Sequence, residues 1–307
     1  MEKYFTPKTI LEAVEIATDN IGFLFISGGT DIMPNKQQGN LEFTCLIDLG
    51  NIPEMQSTKL EGDNYVIGAS VKLSEIIADG YIIENFKALV DAAKSVASPL
   101  IRNQATIGGN ILCENRCVFY NQSELWREAA GYCLKCGGGI CIATGGKKSC
   151  LSKFVSDMAP ALICLNAKVV LVDQDSENTI PLEELYTGDG IDSKKIKNGT
   201  ILKSILLPIN QGIRASFKKL RQRKALEFTS LTVAVSVDSS GTVIIAASGV
   251  APTPLVVKAS KTDPFDSIYK EVNKKSRIIN NDILDRQYRK SMLKVYLHEC
   301  LKEIDIQ

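Results

Sequence analysis

Apolar residues recur along the first third of the chain at the spacings of short helices and buried strands. Residues 7–18 place four apolar side chains on one helical face, with Pro7 near the start of the predicted helix. A second helix is expected to begin at Leu73, and a third, rich in small residues, to span 88–98 until Pro99 ends it. Short apolar runs predict three buried strands, at 23–27, 45–49 and 65–70.

The rest of the chain predicts a helical turn and strand over 158–173, then an antiparallel sheet with helices. The strand candidates are 200–208, 214–221, 231–238 and 242–250. A final helix is expected within 279–304, with an apolar face formed by Leu284, Tyr288, Met292, Val295, Tyr296 and Cys300. Strands and helices that segregate in this way indicate an α+β fold, and polar turns predict domain boundaries at about 53–60 and near 177.

Composition narrows the functional classes. The 307 residues carry a net charge of about +1, which gives no basic field for nucleic acid or an anionic membrane surface. No signal peptide and no run of apolar residues long enough to span a bilayer stand out, so a cytoplasmic location is expected. Since His298 is the one histidine, nucleophile–histidine pairs and multi-histidine metal sites are disfavoured.

Two glycine pairs carry the first chemical signal. Gly28 and Gly29 directly follow the predicted strand at 23–27, and Gly108 and Gly109 precede what the sequence predicts to be the start of another strand. Glycine pairs allow successive N–H groups to point into one concavity, which suits phosphate oxygens. Two such turns together predict a dinucleotide site, although neither has the G-x-G-x-x-G pattern of the Rossmann fingerprint.

Cysteine provides the second signal, because six of the nine cysteines lie between Cys113 and Cys150. In a reducing compartment, clustered thiols are metal ligands more often than disulfides. The gaps that separate Cys117, Cys133, Cys141 and Cys150 are long, which favours an iron–sulfur cluster over the tight C-x2-C pairs of zinc sites. Zinc and incidental buried thiols remain alternatives, and spacing alone does not choose four ligands among the six.

Three motifs resemble those of FAD-binding subunits in the xanthine dehydrogenase, or molybdenum hydroxylase, family. They are S-G-G-T-D at 27–31, T-I-G-G-N at 106–110 and S-D-x-x-P at 156–160. The resemblance implies a two-part FAD-binding domain of the PCMH/VAO type (1–55 and 56–176) and a C-terminal domain like that of CO dehydrogenase flavoproteins (177–307). The FAD-binding residues it implies are Ser27, Gly28, Gly29, Thr30, Asp31, Thr106, Ile107, Gly108, Gly109, Asn110, Asp157 and Lys219.

Lys219 belongs to a further segment, with Arg223 and Glu227, which resembles the K-x-x-x-R-x-x-x-D pattern that the family places near the flavin ring. Glutamate replaces the aspartate of that pattern here. A solvated basic strand end is the alternative interpretation of these residues.

Within the family, the chain resembles 4-hydroxybenzoyl-CoA reductase β subunits, which carry an inserted [4Fe–4S] cluster. The matching insertion spans about 113–152, and the resemblance implies that Cys117, Cys133, Cys141 and Cys150 are the metal ligands. Cys113 and Cys136 are then neighbours. Cys45, Cys164 and Cys300 are expected to be buried core thiols. Tyr120 and Trp126 are expected to pack the insertion against the flavin domain, and His298 to lie on the surface.

The resemblance implies an electron-transfer subunit that holds FAD and a [4Fe–4S] cluster, with no catalytic residue of its own. Substrate chemistry is expected on a molybdopterin-binding large subunit, beside a [2Fe–2S] small subunit, in an aromatic acyl-CoA reductase that ferredoxin supplies with electrons. The alternative is the flavin subunit of a dehydrogenase of xanthine or other N-heterocycles, which passes electrons to NAD or ferredoxin. A zinc-stabilised binding module is a third hypothesis, from a different functional class.

Overall fold

Three β-sheets with helices on their faces form the part of the protein that this computed structural model describes, residues 2–209 and 212–306. The strands are β1 (Lys3–Phe5), β2 (Phe23–Ile26), β3 (Cys45–Asp48), β4 (Thr58–Glu61), β5 (Asn64–Gly68), β6 (Lys168–Val172), β7 (Glu177–Pro181), β8 (Ile201–Pro208), β9 (Arg214–Leu220), β10 (Leu231–Val237), β11 (Thr242–Ser248) and β12 (Leu255–Ser260). The helices are α1 (Ile10–Asp19), α2 (Ile32–Gln37), α3 (Leu73–Ala78), α4 (Gly80–Asn85), α5 (Lys87–Ser95), α6 (Pro99–Arg102), α7 (Ile107–Ile111), α8 (Glu124–Ala129), α9 (Met158–Cys164), α10 (Phe265–Lys275) and α11 (Arg286–Glu303). Short 3₁₀ turns occupy Pro53–Met55, Leu134–Cys136 and Leu182–Leu185.

The first sheet is parallel, in the order β1-β3-β2. Helix α1 connects β1 to β2 and buries Ile10, Val14 and Ala17 of the predicted apolar face, whereas Leu11, the fourth residue of that face, is exposed. The Thr9 hydroxyl accepts the N–H of Glu12 at 3.1 Å and so caps the first turn of the helix. The carboxyl end of β2 therefore has a fixed position, and the S-G-G-T-D loop leaves from it.

The central sheet is antiparallel, in the order β4-β5-β8-β6-β7. Strand β8 lies between β5 and β6, so the sheet combines segments from both sides of the predicted boundary near residue 177. The domain limits 1–55, 56–176 and 177–307 stay predictions. Ile67, Val169 and Ile205 point from this sheet into the larger of the two hydrophobic cores.

The third sheet is antiparallel, in the order β12-β11-β10-β9, and both of its faces are covered. Val233, Val235 and Ile245 face α10 and α11 in the second core, whereas Ala234 and Ala246 face α9 in the first. The alternation follows from the two-residue period of a strand. The four strands predicted over 200–250 are confirmed, as is the α+β class. Strand β12 and helix α10 were not predicted.

Two predictions around the second glycine pair are wrong. Residues 107–111 form helix α7 and not the start of a strand, because Thr106 caps the turn by accepting the Gly109 N–H at 3.2 Å. Pro99 does not end the preceding helix, which already stops at Ser95. It occupies the first turn of α6, where a proline costs no hydrogen bond.

The predicted apolar face of the last helix is correct in part. Cys300 is buried and Leu284, Met292 and Tyr296 pack against the second core, whereas Tyr288 and Val295 are exposed. The buried face of α11 consists of Leu293, Leu297, Cys300, Leu301 and a charged residue, Arg289. His298 lies on the surface as predicted, with its ring edge against Phe265.

Arg289 is 1% exposed and satisfies three carbonyl groups from three segments. Its Nε donates to Ser230 O at 2.9 Å, one Nη to Ile279 O at 3.1 Å and the other Nη to Gly249 O. The guanidinium thus ties α11 to both ends of the β10–β11 hairpin. No helix within residues 2–209 and 212–306 is long and apolar enough to cross a bilayer.

We expect Arg289→Met to lower the free energy of unfolding by about 3 kcal/mol, because it leaves buried carbonyl groups without donors. Urea titration followed by circular dichroism measures the loss. Arg286→Met is the matched control, since Arg286 is exposed on the same helix. Equal stability losses in the two variants would contradict the assigned role of Arg289.

Candidate cofactor sites

One cleft of about 490 Å³ lies where the loop after β2, helix α7 and the start of α9 meet. Its volume falls within the range of about 300–1,000 Å³ that is usual for cofactor pockets. All of the residues predicted to bind FAD line this cleft except two. Ile107 is fully buried in the core, and Lys219 lies behind the lining.

The first glycine pair has free backbone donors. Within the described chain, the N–H groups of Gly28, Gly29, Thr30 and Asp31 have no acceptor in the protein. Gly29 has a φ of 69°, in the left-handed region that favours glycine. Consecutive N–H groups that converge on one concavity form a nest for an anionic oxygen. This loop has the donors that a pyrophosphate needs.

The second glycine pair differs, although its sequence looks alike. The N–H of Ile107 donates to Val71 O at 3.0 Å and that of Gly108 to Ala69 O at 2.9 Å. The Gly109 and Asn110 N–H groups bind Thr106 within α7. The second glycine pair therefore has no N–H group available to a ligand, and its contribution is that the backbone can pack closely against its neighbours. The predicted second N–H nest is not formed in this structure.

Close packing explains why these positions are glycine. A Cβ atom on Gly28 would lie 2.0 Å from Gln104 O, so the two glycine loops touch at the base of the cleft. A Cβ on Gly108 would lie 2.8 Å from Ala69. At Gly109 the nearest atom is Thr106 Oγ1 at 3.0 Å, and a side chain there would project into the cleft. Gly109 thus keeps the surface open to a ligand.

Asn110 joins the second and third motifs. Its Oδ1 accepts the Ser156 hydroxyl at 2.8 Å and the Met158 N–H at 3.1 Å. The Ser156 hydroxyl in turn accepts the Ala159 N–H at 3.0 Å. These bonds fix the first turn of α9 beside α7, so Asp157 faces the cleft.

Asp157 is a buried carboxylate with two side-chain partners. Lys219 Nζ lies 2.6 Å from Oδ2, and the Thr232 hydroxyl donates to Oδ1 at 3.1 Å. Burial raises the pKa of Asp157, and Lys219 opposes the rise. Lys219 also donates to Ser95 O at 3.0 Å and Glu227 O at 3.3 Å, so it positions the carboxylate without lining the cleft.

The other two residues of the segment that contains Lys219 differ in exposure. Arg223 pairs with the Glu227 carboxylate at 2.7 Å and is exposed, which matches the solvated alternative. Glu227 lines the cleft. The apolar walls around it were missed, because they come from distant segments that share no motif; they include Leu24, Ile101, Val155, Leu202, Leu226 and Phe228.

The cysteine-rich loop spans 117–152 and is closed by a two-bond bridge. The backbones of Arg116 and Lys153 exchange N–H···O bonds of 2.9 Å each. Lys153 forms a buried ion pair with Asp282, and Asn281 Nδ2 donates to Leu151 O at 2.8 Å. The base of the loop is therefore anchored to the segment before α11.

The four predicted ligands line one small cavity: Cys117, Cys133, Cys141 and Cys150. Burial raises the pKa of the Cys117 thiol to about 11, while the backbone N–H groups of Phe119 and Tyr120 donate to the sulfur and oppose the rise. The Ser152 N–H lies 3.5 Å from Cys150 Sγ. N–H groups directed at sulfur stabilise the thiolate form that binds metal.

The other two cysteines of the segment lie elsewhere. Cys113 lines the larger cleft, and burial raises its pKa to about 12. Cys136 lies outside the cavity lining, with its Sγ 3.8 Å from Cys133 Sγ. Cys45, Cys164 and Cys300 are buried in the cores as expected. Tyr120 lines the cysteine cavity and donates to Asn40 O at 3.4 Å, so it joins the loop to the first sheet region.

The cysteine cavity supplies thiols but no ready-made metal position. No group of three or more His, Cys, Asp or Glu residues in the described ranges is placed to hold a metal ion. The four cysteines share one cavity, and cysteine thiolates are the usual ligands of iron–sulfur clusters. Two cations of the same loop are already paired, Arg127 with Glu124 and Lys135 with Glu114.

Four N–H groups without a protein acceptor, in a loop that lines a largely apolar cleft, suit a cofactor that has a pyrophosphate and an aromatic ring. The family model "FAD binding domain in molybdopterin dehydrogenase" matches residues 1–210. The chain belongs to this family, and its cofactor is FAD. It is a flavin subunit of the molybdenum hydroxylase type of oxidoreductase complex.

Similar proteins agree with this assignment. The aldehyde oxidoreductase FAD-binding subunit of Escherichia coli is 27% identical over 267 residues, which cover 84% of each chain. A xanthine dehydrogenase FAD-binding subunit of the same species is 32% identical over 109 residues, covering 35% of this chain and 37% of that one. The fold matches a chain in the crystal structure of cyanide-inactivated Cu,Mo-CO dehydrogenase with a TM-score of 0.76 and 22% identity, over 99% of this chain and 97% of that one.

We expect Gly109→Val to abolish FAD retention, because Gly109 lines the cleft and the branched side chain would occupy space that is open in the structure. Flavin absorbance per purified chain measures retention. Gly80→Val is the control, since no atom lies within 4 Å of a Cβ built at Gly80. Normal flavin content in the Gly109 variant would refute this placement of the cofactor.

We expect Lys219→Met to make the free energy of unfolding depend more strongly on pH than it does in the wild type. Without the ammonium, the pKa of Asp157 rises further above its unfolded value, so the native state retains a proton that the unfolded chain releases. The variant therefore loses stability relative to the wild type as pH rises from about 4 to about 8. Urea unfolding at both pH values tests this. Asp157→Asn combined with Lys219→Met should remove the added pH dependence; its persistence would assign the effect to another group.

Proposed function

We propose that the protein is an electron-transfer subunit that holds FAD and a [4Fe–4S] cluster in a molybdenum-dependent aromatic acyl-CoA reductase. The observation that carries the cluster proposal is the common cavity of Cys117, Cys133, Cys141 and Cys150. Cys113 and Cys136, the two remaining thiols of the segment, lie outside that cavity. This division agrees with the ligand set implied by the resemblance to 4-hydroxybenzoyl-CoA reductase β subunits.

The residues of the chain bind, orient and shield the two groups. The loop at 28–31 would donate its N–H groups to the FAD pyrophosphate, and the apolar walls would enclose the ring system. Asp157, held by Lys219 and Thr232, would orient the flavin or its ribityl chain. When bound, FAD exchanges one or two electrons, and the cluster exchanges single electrons.

The connection to partners follows from the family, whose model is that of the FAD-binding domain in molybdopterin dehydrogenases. Substrate chemistry is proposed to occur on a molybdopterin-binding large subunit, with a [2Fe–2S] small subunit between it and FAD. The inserted cluster would accept single electrons from a low-potential carrier such as ferredoxin.

A second candidate is the flavin subunit of a xanthine or N-heterocycle dehydrogenase that delivers electrons to NAD or ferredoxin. The relative named as a xanthine dehydrogenase subunit favours it. Iron content separates the candidates: anaerobically purified protein with FAD and about four irons and four sulfides per chain supports the first. FAD without iron would favour the second, and zinc without flavin would support neither.

We expect Cys141→Ser to remove the iron while FAD stays bound, because the cysteine cavity and the cleft are separate. Iron, sulfide and flavin assays after anaerobic purification measure both cofactors. Cys136→Ser is the matched control: it removes the nearest thiol outside the cavity and should keep the full iron content. Iron loss in the Cys136 variant with retention in the Cys141 variant would reject this ligand set.

A further inference from the structure

Segment 113–117 separates the two cavities. Cys113 and Glu114 line the FAD cleft, and Cys117 lines the cysteine cavity. Three residue steps from Glu114 to Cys117 span at most about 11 Å of extended chain. A charged group on this segment therefore lies close to both sites.

Lys135 connects the two cavities by its side chain. It lines the cysteine cavity, where it is the one lysine or arginine among the lining residues that the structure describes. Its Nζ donates to the Glu114 carboxylate at 2.9 Å, and Glu114 lines the FAD cleft. The Lys135 side chain is only 6% exposed. An ion pair with a buried ammonium and a half-exposed carboxylate thus links the lining of the cysteine cavity to that of the FAD cleft.

The ammonium has no freedom to turn toward a sulfur atom. Its three donors are used by Glu114 Oε2, by Asn115 O at 3.2 Å and by Gly190 O at 3.1 Å. The Tyr120 ring lies 5.0 Å from Nζ and covers it. Lys135 therefore acts on the cysteine cavity through its charge, and burial leaves that charge weakly screened.

The Glu114 carboxylate balances the positive charge of Lys135 at the lining of the FAD cleft. Lys194 lies 3.3 Å from its Oε1, so two lysines share one carboxylate. Burial alone would raise the pKa of Glu114, but Lys194 and Lys135 outweigh it and lower the pKa. The carboxylate remains charged and compensates the ammonium of Lys135.

We propose that Lys135 and Glu114 are positioning residues that set the reduction potentials of the two sites together, and the inference rests on the proposed [4Fe–4S] function. One-electron reduction would make the cluster more negative by one charge, and two-electron reduction of FAD with uptake of one proton would do the same for the flavin. A fixed cation that links the two linings favours the reduced form of both, and the carboxylate paired with it opposes this effect. No bond or proton changes in the pair during electron transfer.

The test is a redox titration of the full chain after anaerobic purification, with dithionite as reductant. Electron paramagnetic resonance follows the cluster, and visible absorbance follows the flavin. Lys135→Met should lower the cluster potential, because it removes a nearby positive charge. Glu114→Gln should raise it, because the ammonium loses its counter-charge. The flavin potential should shift in the same two directions.

A structural role alone would change the melting temperature of both variants without shifts of opposite sign. Unchanged potentials, or shifts of the same sign, in variants that keep their iron would overturn the proposal. If the Lys135→Met variant loses its iron, the Glu114→Gln variant tests the proposal alone. A cluster potential that does not rise in Glu114→Gln would then overturn the proposal. Lys147→Met, at an exposed lysine of the same loop, should shift the potential less; an equal shift would count against burial and pairing as the cause. Wild-type protein without iron would reject the proposed function itself, and this inference with it.

Discussion

The ion pair of Asp157 and Lys219 is the interaction on which the arrangement of the flavin cleft depends. It joins the start of α9, at the floor of the cleft, to β9 of the third sheet, and Lys219 continues to the end of α5 through Ser95 O. Both side chains have lost their water, at a cost that mutual attraction alone does not always offset. The bonds from Thr232 and to Ser95 complete the compensation and fix one orientation of the carboxylate. Two parts of the chain that are distant in sequence thereby share one site.

Local motifs were predictable from the sequence, and surfaces assembled from distant segments were not. Glycine pairs, the Ser-Asp-x-x-Pro turn and the cysteine spacing each depend on a few neighbouring residues, and the structure places them on two cavities. The apolar wall that includes Leu202 and Phe228 has no such local pattern. The two glycine pairs look alike in sequence but differ in the structure. The N–H groups of the loop at Gly28 have no acceptor in the described chain, while those of α7 bond to acceptors inside the protein.

Helical periodicity failed where a charged residue belongs to a buried face. In α11 the side chain of Arg289 occupies the core because three carbonyl groups receive its donors, which no count of apolar positions would anticipate. The strand predicted at the start of α7 was wrong for a related reason. A threonine cap outweighed the low helix propensity of Gly108 and Gly109, which favoured a turn and a strand in the sequence. In both cases hydrogen bonds of single side chains overrode the average preference.

The narrow base of the cysteine-rich loop has a consequence for how such a protein can change. Residues paired across an antiparallel bridge lie about 5.5 Å apart, the distance that a tight hairpin turn also spans. Arg116 and Lys153 therefore pair at the base of the loop as the last two residues of a β-hairpin do, and this pairing does not depend on the length of the loop. The length of the loop can thus vary without moving the two ends by which it joins the scaffold, although Lys135 and Tyr120 also tie it to Glu114 and Asn40.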